Sequence, residues 1–167
     1  MALGRGEDAL LNTHVQVRYV VANSSSYAYF DASRPAPGGS FEIPQGPECQ
    51  AYDKWKFGVS DLPPYAERHP TEKIEQTYVN RDVTYLLGKN TTDPKHVSLD
   101  RSCMAEAQGA DRLSRGVSYF AYLKKRHPEG LRHRLVIVEG VGPHGDKMLT
   151  SPCGLAALFG NGVCHSF

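Results

Sequence analysis

No apolar run in the 167 residues approaches the roughly 20 that a bilayer-spanning helix needs, so no membrane span is expected. Charge of one sign is not in excess either. The chain carries 19 Lys and Arg against 18 Asp and Glu, a formal net charge of +1. That leaves no electrostatic footprint for nucleic acid or an anionic membrane. The four cysteines, Cys49, Cys103, Cys153 and Cys164, form no C-x-x-C pair, which excludes zinc-ribbon and thioredoxin-like sites. Free buried thiols are expected of them, with one or two disulfides if the protein is exported. There is no P-loop or dinucleotide fingerprint, so no nucleotide cofactor is expected. Internal repeats and low-complexity tracts are missing too. Met1 to Leu11 mixes Arg5, Glu7 and Asp8 among glycines without the apolar core of a signal peptide, and none is expected. Nothing here identifies a compartment.

What is present is an ordinary globular composition, 40% hydrophobic and 22% charged, in a length suited to one domain. The stretch that organises the chain is Arg134–Asp146, RLVIVEGVGPHGD. Leu135 to Val138 is too short for a helix and rich in β-branched residues, so it reads as a buried strand over 134–139. Gly140, Gly142 and Gly145 then make a turn that carries His144. A histidine on a loop at the exit of a buried strand is a candidate functional residue.

Taken in order, His14 to Ala22 alternates and then becomes continuously apolar, which predicts a strand ending at the polar turn Asn23–Ser26. Residues 27–70 are rich in Pro, Gly and aromatics, among them Tyr27, Tyr29, Phe30, Trp55, Phe57 and Tyr65. So long an insertion reads as a substrate-covering lid or as a segment that wraps the core, and its aromatics exclude disorder. Thr71 is expected to cap a short helix to Asn80, followed by a second strand, Asp82–Gly88. Helices are expected over about 100–108 and 111–126, the longer one burying Leu113, Val117, Phe120 and Ala121. Ser151-Pro152 opens a last helix that Gly160 closes.

Strands that alternate with helices and look buried imply an α/β fold: a small, mostly parallel sheet flanked by helices, joined by right-handed crossovers. Ligands of such sheets sit beyond the carboxyl ends of the strands. Those ends are Asn23–Ser26, Gly88–Asp93 and Gly140–Asp146, all on one rim. Three strands are few for a parallel sheet, so the chain is expected to be an incomplete single domain over 1–167, its open edge closed by upstream sequence or a partner chain.

Val15–Ser26, Tyr52–Gly58, Asp82–Gly88, Leu99–Gly116 and Val138–Phe159, in that order and spacing, resemble the C-terminal half of an α/β-hydrolase, and more narrowly a group of bacterial and fungal α/β-hydrolase-like proteins. The resemblance covers about residues 13–160. It implies a serine nucleophile on a G-x-S-x-G elbow, then an acid, then a histidine in chain order. This sequence departs from that pattern three times. It contains no G-x-S-x-G. The acid loop, often G-x-x-D, has Thr91 in the acid position, and the nearest carboxylate is Asp93. The base loop, often G-x-G-H, has Pro143 there, with His144 one residue late.

The resemblance therefore implies a serine-hydrolase half acting on a small-molecule ester or related acyl substrate. Asp93 would orient the imidazole, His144 would be the general base, and the nucleophile would lie outside the chain, which would be inactive alone. The other reading is a non-catalytic, truncated or degenerate hydrolase-like domain that binds an apolar ligand or a protein partner. Ser24–Ser26 are read as a turn, lacking the glycines of an elbow. Asp93, His96 and Asp100 have a metal-like spacing, but Pro94 makes the stretch a loop and no metal site is expected. Arg101, Arg112 and Arg115 are read as a solvated or salt-bridged face, with anion binding as the other reading.

Overall fold

The computed structural model describes residues 16–45, 49–160 and 163–164. The expected strand start at His14, the Met1–Leu11 stretch and most of the tail from Asn161 lie outside them. The core of the fold is a three-stranded sheet in the order β1-β4-β5, formed by β1 (Arg18–Ala22), β4 (Asp82–Gly88) and β5 (Arg134–Val138). Both pairings are parallel, with Val21 opposite Tyr85 and Tyr85 opposite Leu135. The expected mixed α/β fold, with a small parallel sheet flanked by helices, is what the chain adopts.

Strand alternation sends side chains to two different cores. Tyr19, Val21, Val83, Tyr85 and Leu135 join an aromatic cluster with Tyr27, Tyr29, Tyr119, Tyr122 and Leu123. Val20, Ala22, Leu86, Val136 and Val138 join a smaller cluster with Met148 and Cys153 on the opposite face. β4, central in the sheet, is buried from Val83 to Gly88, whereas β1 and β5 are mostly half-buried.

The long helix α4 (Arg112–Arg126) begins at an Asp111 capping box, Asp111 Oδ1 accepting from Ser114 N–H at 2.8 Å. Its buried face is Arg115, Gly116, Tyr119, Tyr122 and Leu123, with Val117 38% exposed. The expected face of Leu113, Val117, Phe120 and Ala121 is thus rotated from the real one. The cause is that two tyrosines and an arginine, which a hydrophobicity pattern discounts, carry the packing. Tyr119 stacks on Tyr27 at 4.6 Å between ring centroids, and its hydroxyl donates to Ala28 C=O at 3.0 Å.

The 27–70 insertion is more structured than the sequence suggests. It holds a two-stranded antiparallel ribbon, β2 (Arg34–Pro35) with β3 (Phe41–Glu42), and a short helix α1 (Pro64–Glu67). Arg34, 1% exposed, pins it from inside, donating to Asp31, Ser33, Tyr52 and Phe57 carbonyls and lying 4.4 Å over the Tyr29 ring. The next helix, α2 (Thr71–Val79), starts at Thr71 itself, with Pro70 before it and no side-chain cap, so the expected Thr71 cap is not formed. α3 (Cys103–Glu106) is shorter than expected and is capped by Ser102. α5 (Gly145–Leu149), unforeseen, follows His144, and α6 (Pro152–Phe159) has the expected Ser151 cap and left-handed Gly160.

The cysteines are not free thiols. Cys49 bridges Cys103 and Cys153 bridges Cys164, with Cα separations of 5.7 and 4.6 Å. The first ties the insertion to α3; the second ties α6 to the tail. Partners 54 residues apart cannot be paired from spacing alone.

Candidate functional site

The three strand ends meet at one rim, and Asn23 holds them together. It is 9% exposed and sits in the left-handed region, with φ of 45°. Its Oδ1 accepts from Gly88 N–H at 2.8 Å and its Nδ2 donates to Gly142 C=O at 3.0 Å. One side chain at the end of β1 therefore fastens the loops after β4 and β5. Those loops are also tied to each other, since Asn90 N–H reaches Val141 C=O at 3.0 Å. Gly88 is required by this closeness: a Cβ there would lie 2.4 Å from the Val141 oxygen. The sequence showed Asn23 only as a turn residue. An Asx side chain at a strand end was its one signal.

A narrow cleft opens at this rim, lined by Asn90, Thr91, Asp93, His96, Arg112 and Pro143. Thr91 is buried, and its hydroxyl donates to Gly88 C=O at 2.7 Å. Asp93 is exposed and accepts from Lys95 N–H at 2.8 Å. His96 Nδ1 lies 3.0 Å from Ser98 Oγ. His144 is exposed at the N-terminal boundary of α5 and does not line the cleft, although its ring comes within 4.0 Å of where a Cβ on Gly142 would stand. Among the described residues no hydrogen bond joins Asp93 to His144. The structure thus brings Thr91, Asp93 and Pro143 into one cleft and leaves His144 on the adjoining surface.

Two arginines of α4 brace the floor of the rim. Arg112 donates to Asn23 C=O at 2.9 Å, to Ser25 Oγ at 2.6 Å and to the Ser98 backbone and hydroxyl oxygens. Arg115, with no exposed surface, donates to the carbonyls of Gly109 at 2.7 Å, Ser25 at 2.6 Å and Asp100 at 2.8 Å. Burial pulls both guanidinium pKa values down, with acidic neighbours opposing this at Arg115. The expected solvated or salt-bridged face is corrected at Arg112 and Arg115, whose guanidiniums are held by carbonyls and serine hydroxyls of the turns around them, while Arg101 is exposed. The Ser24–Ser26 stretch is a turn, Ser24 Oγ donating to Ser26 C=O at 2.7 Å. Asp100 is drawn to Lys56 at 3.1 Å. Burial raises its pKa, but hydrogen bonds from Ser102 and Lys56 bring it below the ordinary value. Among the described residues no group of three or more His, Cys, Asp or Glu could hold a metal ion. No helix among them is long and apolar enough to cross a membrane.

The fold has solved relatives. The chain is similar to poly(aspartic acid) hydrolase-1 from Sphingomonas sp. KT-1, at 25% identity and a TM-score of 0.57, over 78% of this chain and 41% of that one. It is also similar to LpqC, poly(3-hydroxybutyrate) depolymerase from Bordetella parapertussis, at 15% identity and a TM-score of 0.61, over 86% of this chain and 41% of that one. The second likeness shows the fold alone. The chain therefore has a hydrolase-type α/β architecture and spans less than half the length of either neighbour. No protein-family model matches it, and no curated protein does.

Proposed function

We propose that the chain is the acid-and-base half of a serine-hydrolase domain acting on an ester or related acyl bond, with the nucleophile supplied from outside these residues. The supporting observation is the rim. The loops after β4 and β5, adjacent parallel strands, are tied by the Asn90–Val141 hydrogen bond of 3.0 Å and carry Asp93 and His144. In this reading His144 takes the serine proton, and Asp93 orients the imidazole and stabilises its charged form. The two must come within about 2.6–3.2 Å to do so, which requires the loops to close once the nucleophile-bearing part is in place. A polymer or oligomer with repeated acyl linkages is the substrate class suggested by the named activities of the two neighbours. The 27–70 insertion, with Tyr27, Tyr29 and Phe30 buried in the core, wraps the body of the domain, and the outer edge of β1 takes the strand that completes the sheet.

One observation favours a second, non-catalytic reading. Thr91 and Pro143, which stand where the resemblance expects the acid and the base, both line the cleft. Neither can move a proton at neutral pH. In that reading the domain holds an apolar ligand or a partner without turning it over.

The test is a short-chain ester assay beside fluorophosphonate labelling. The purified chain alone is expected to show neither. Protein recovered from its source cells through a tag on this chain is expected to label on a serine outside these residues. Its turnover should fall by roughly 10³-fold or more in His144→Ala. Turnover that survives both His144→Ala and Asp93→Asn sinks the assignment of these two residues as base and acid. Absence of labelling in every preparation supports the binding reading.

A further inference from the structure

At the end of the sheet opposite the rim, His133 stands just before β5 and is 6% exposed. Both of its nitrogens are engaged. Nε2 lies 2.9 Å from Tyr78 C=O, on α2, and Nδ1 lies 3.1 Å from the Tyr85 hydroxyl, on β4. A carbonyl only accepts, so Nε2 carries the proton and Nδ1 of the neutral ring accepts from Tyr85. The Tyr85 oxygen is then free to accept from the Tyr78 hydroxyl, 2.5 Å away. These bonds close a ring through α2, β4 and the approach to β5. Arg132 N–H adds a second tie to α2, 3.3 Å from Val79 C=O. We propose that His133 is an acid-operated latch: its neutral ring holds α2 and the entry to β5 on the sheet, and a proton on Nδ1 releases them. The inference goes beyond the hydrolase reading and does not depend on it.

Three features carry it. First, a proton on Nδ1 turns that atom from acceptor to donor. Tyr85 must then turn its own proton towards Tyr78, and Tyr78 must redirect its proton in turn, so every hydroxyl of the chain has to reverse. Second, the new charge would be buried without a carboxylate in contact. Burial raises the pKa of Tyr78, Tyr85 and Tyr119, so those hydroxyls stay neutral. The nearest acid acting on the ring is Asp82, and it is held by Arg134 at 2.6 Å and Arg18 at 3.9 Å. Third, the other charges nearby are cationic. His127 at the end of α4 acts on the ring, and Arg132 and Arg134 flank it in the chain. Burial therefore holds His133 below the ordinary histidine value, with His127 adding to this and the Tyr78 carbonyl and Asp82 opposing it. The unfolded chain takes up this proton first. Stability is full above the unfolded histidine pKa, about 6.5, and is lost as pH falls from there towards the lower folded value.

Urea unfolding of the whole chain between about pH 7.5 and 5.5 tests this, since one excluded proton raises the unfolding constant by at most about tenfold per pH unit. The parent is expected to show a rise of roughly threefold or more across that range, and His133→Gln a flat line over it. His127→Gln should keep the rise, because His127 pairs with Glu75 at 2.8 Å and that bond strengthens on protonation. Hydrogen exchange at Arg132 N–H, corrected for the intrinsic rate, should speed up in the same window in the parent. Equal pH dependence in the parent and His133→Gln overturns the proposal, as does a rise that His127→Gln removes. The Cε1–H NMR signal of His133 in the unaltered chain needs no variant to fold. It should titrate below about 6.5, and titration at or above that value also overturns the latch.

Discussion

Replacing Asn23 with alanine removes the side chain that joins all three strand ends. Gly88 N–H, which is buried, loses its acceptor at 2.8 Å, and Gly142 C=O loses its donor at 3.0 Å. A buried donor left without a partner costs roughly 1–3 kcal/mol. The half-buried Gly142 carbonyl regains water and costs about 0.5–1 kcal/mol. Alanine must also hold a φ of 45° that asparagine tolerates better, adding about 0.5–1 kcal/mol. The sum is roughly 2–5 kcal/mol, which for a domain of this size lowers Tm by roughly 4–20 °C. Urea titration and thermal melting read it directly. Asn23→Gly separates the causes, because it loses both hydrogen bonds but relieves the backbone, and should cost less than alanine. Arg112 bonds the Asn23 carbonyl, so that contact survives in both variants. An alanine variant within about 0.5 kcal/mol of the parent, a change typical of featureless surface sites, would refute the claim that Asn23 fastens the rim.

Gly88→Ala should be as damaging or worse, since its new Cβ meets backbone at 2.4 Å rather than a movable side chain; soluble yield and Tm check this. Reduction of the two disulfides should lower Tm. In a Cys49→Ser/Cys103→Ser variant the loss should be about 2–4 kcal/mol and exceed that of the 11-residue Cys153–Cys164 link, as measured by urea titration. Glu75, 7% exposed, receives Arg126 at 2.7 and 2.8 Å and His127 at 2.8 Å. Burial raises its carboxyl pKa, but the bonds from Arg126 and His127 bring it below the ordinary value. Its stabilising contribution is therefore present above the unfolded carboxyl pKa, about 4.3, and is lost as pH falls through the lower folded value. Glu75→Gln should flatten that acid limb of a stability–pH curve and cost roughly 1–3 kcal/mol at pH 7.

The amino-acid sequence by itself determined the elements whose signals are local. β4 runs over Asp82–Gly88 because β-branched and aromatic residues end there at a glycine. α6 begins after Ser151 and stops at Gly160 because a hydroxyl cap, a proline and a left-handed glycine mark its ends. Alternation of such elements was enough to specify a parallel sheet and its rim. Tertiary structure decided what depends on partners distant in sequence. Tyr119, Tyr122 and Arg115 turn inward because rings from the insertion and the carbonyls of Ser25, Asp100 and Gly109 meet them there, which no periodicity in α4 records. The cysteine pairing and the grip of Asn23 on Gly88 and Gly142 join residues 54, 65 and 119 positions apart. The same holds for the cleft. Thr91 and Pro143 were legible as departures from a motif, but that they face one cleft with Asp93, while His144 lies outside it, follows from how two loops pack. A side chain's chemistry is written in the sequence, and its neighbours are fixed only when the sheet brings the loops together.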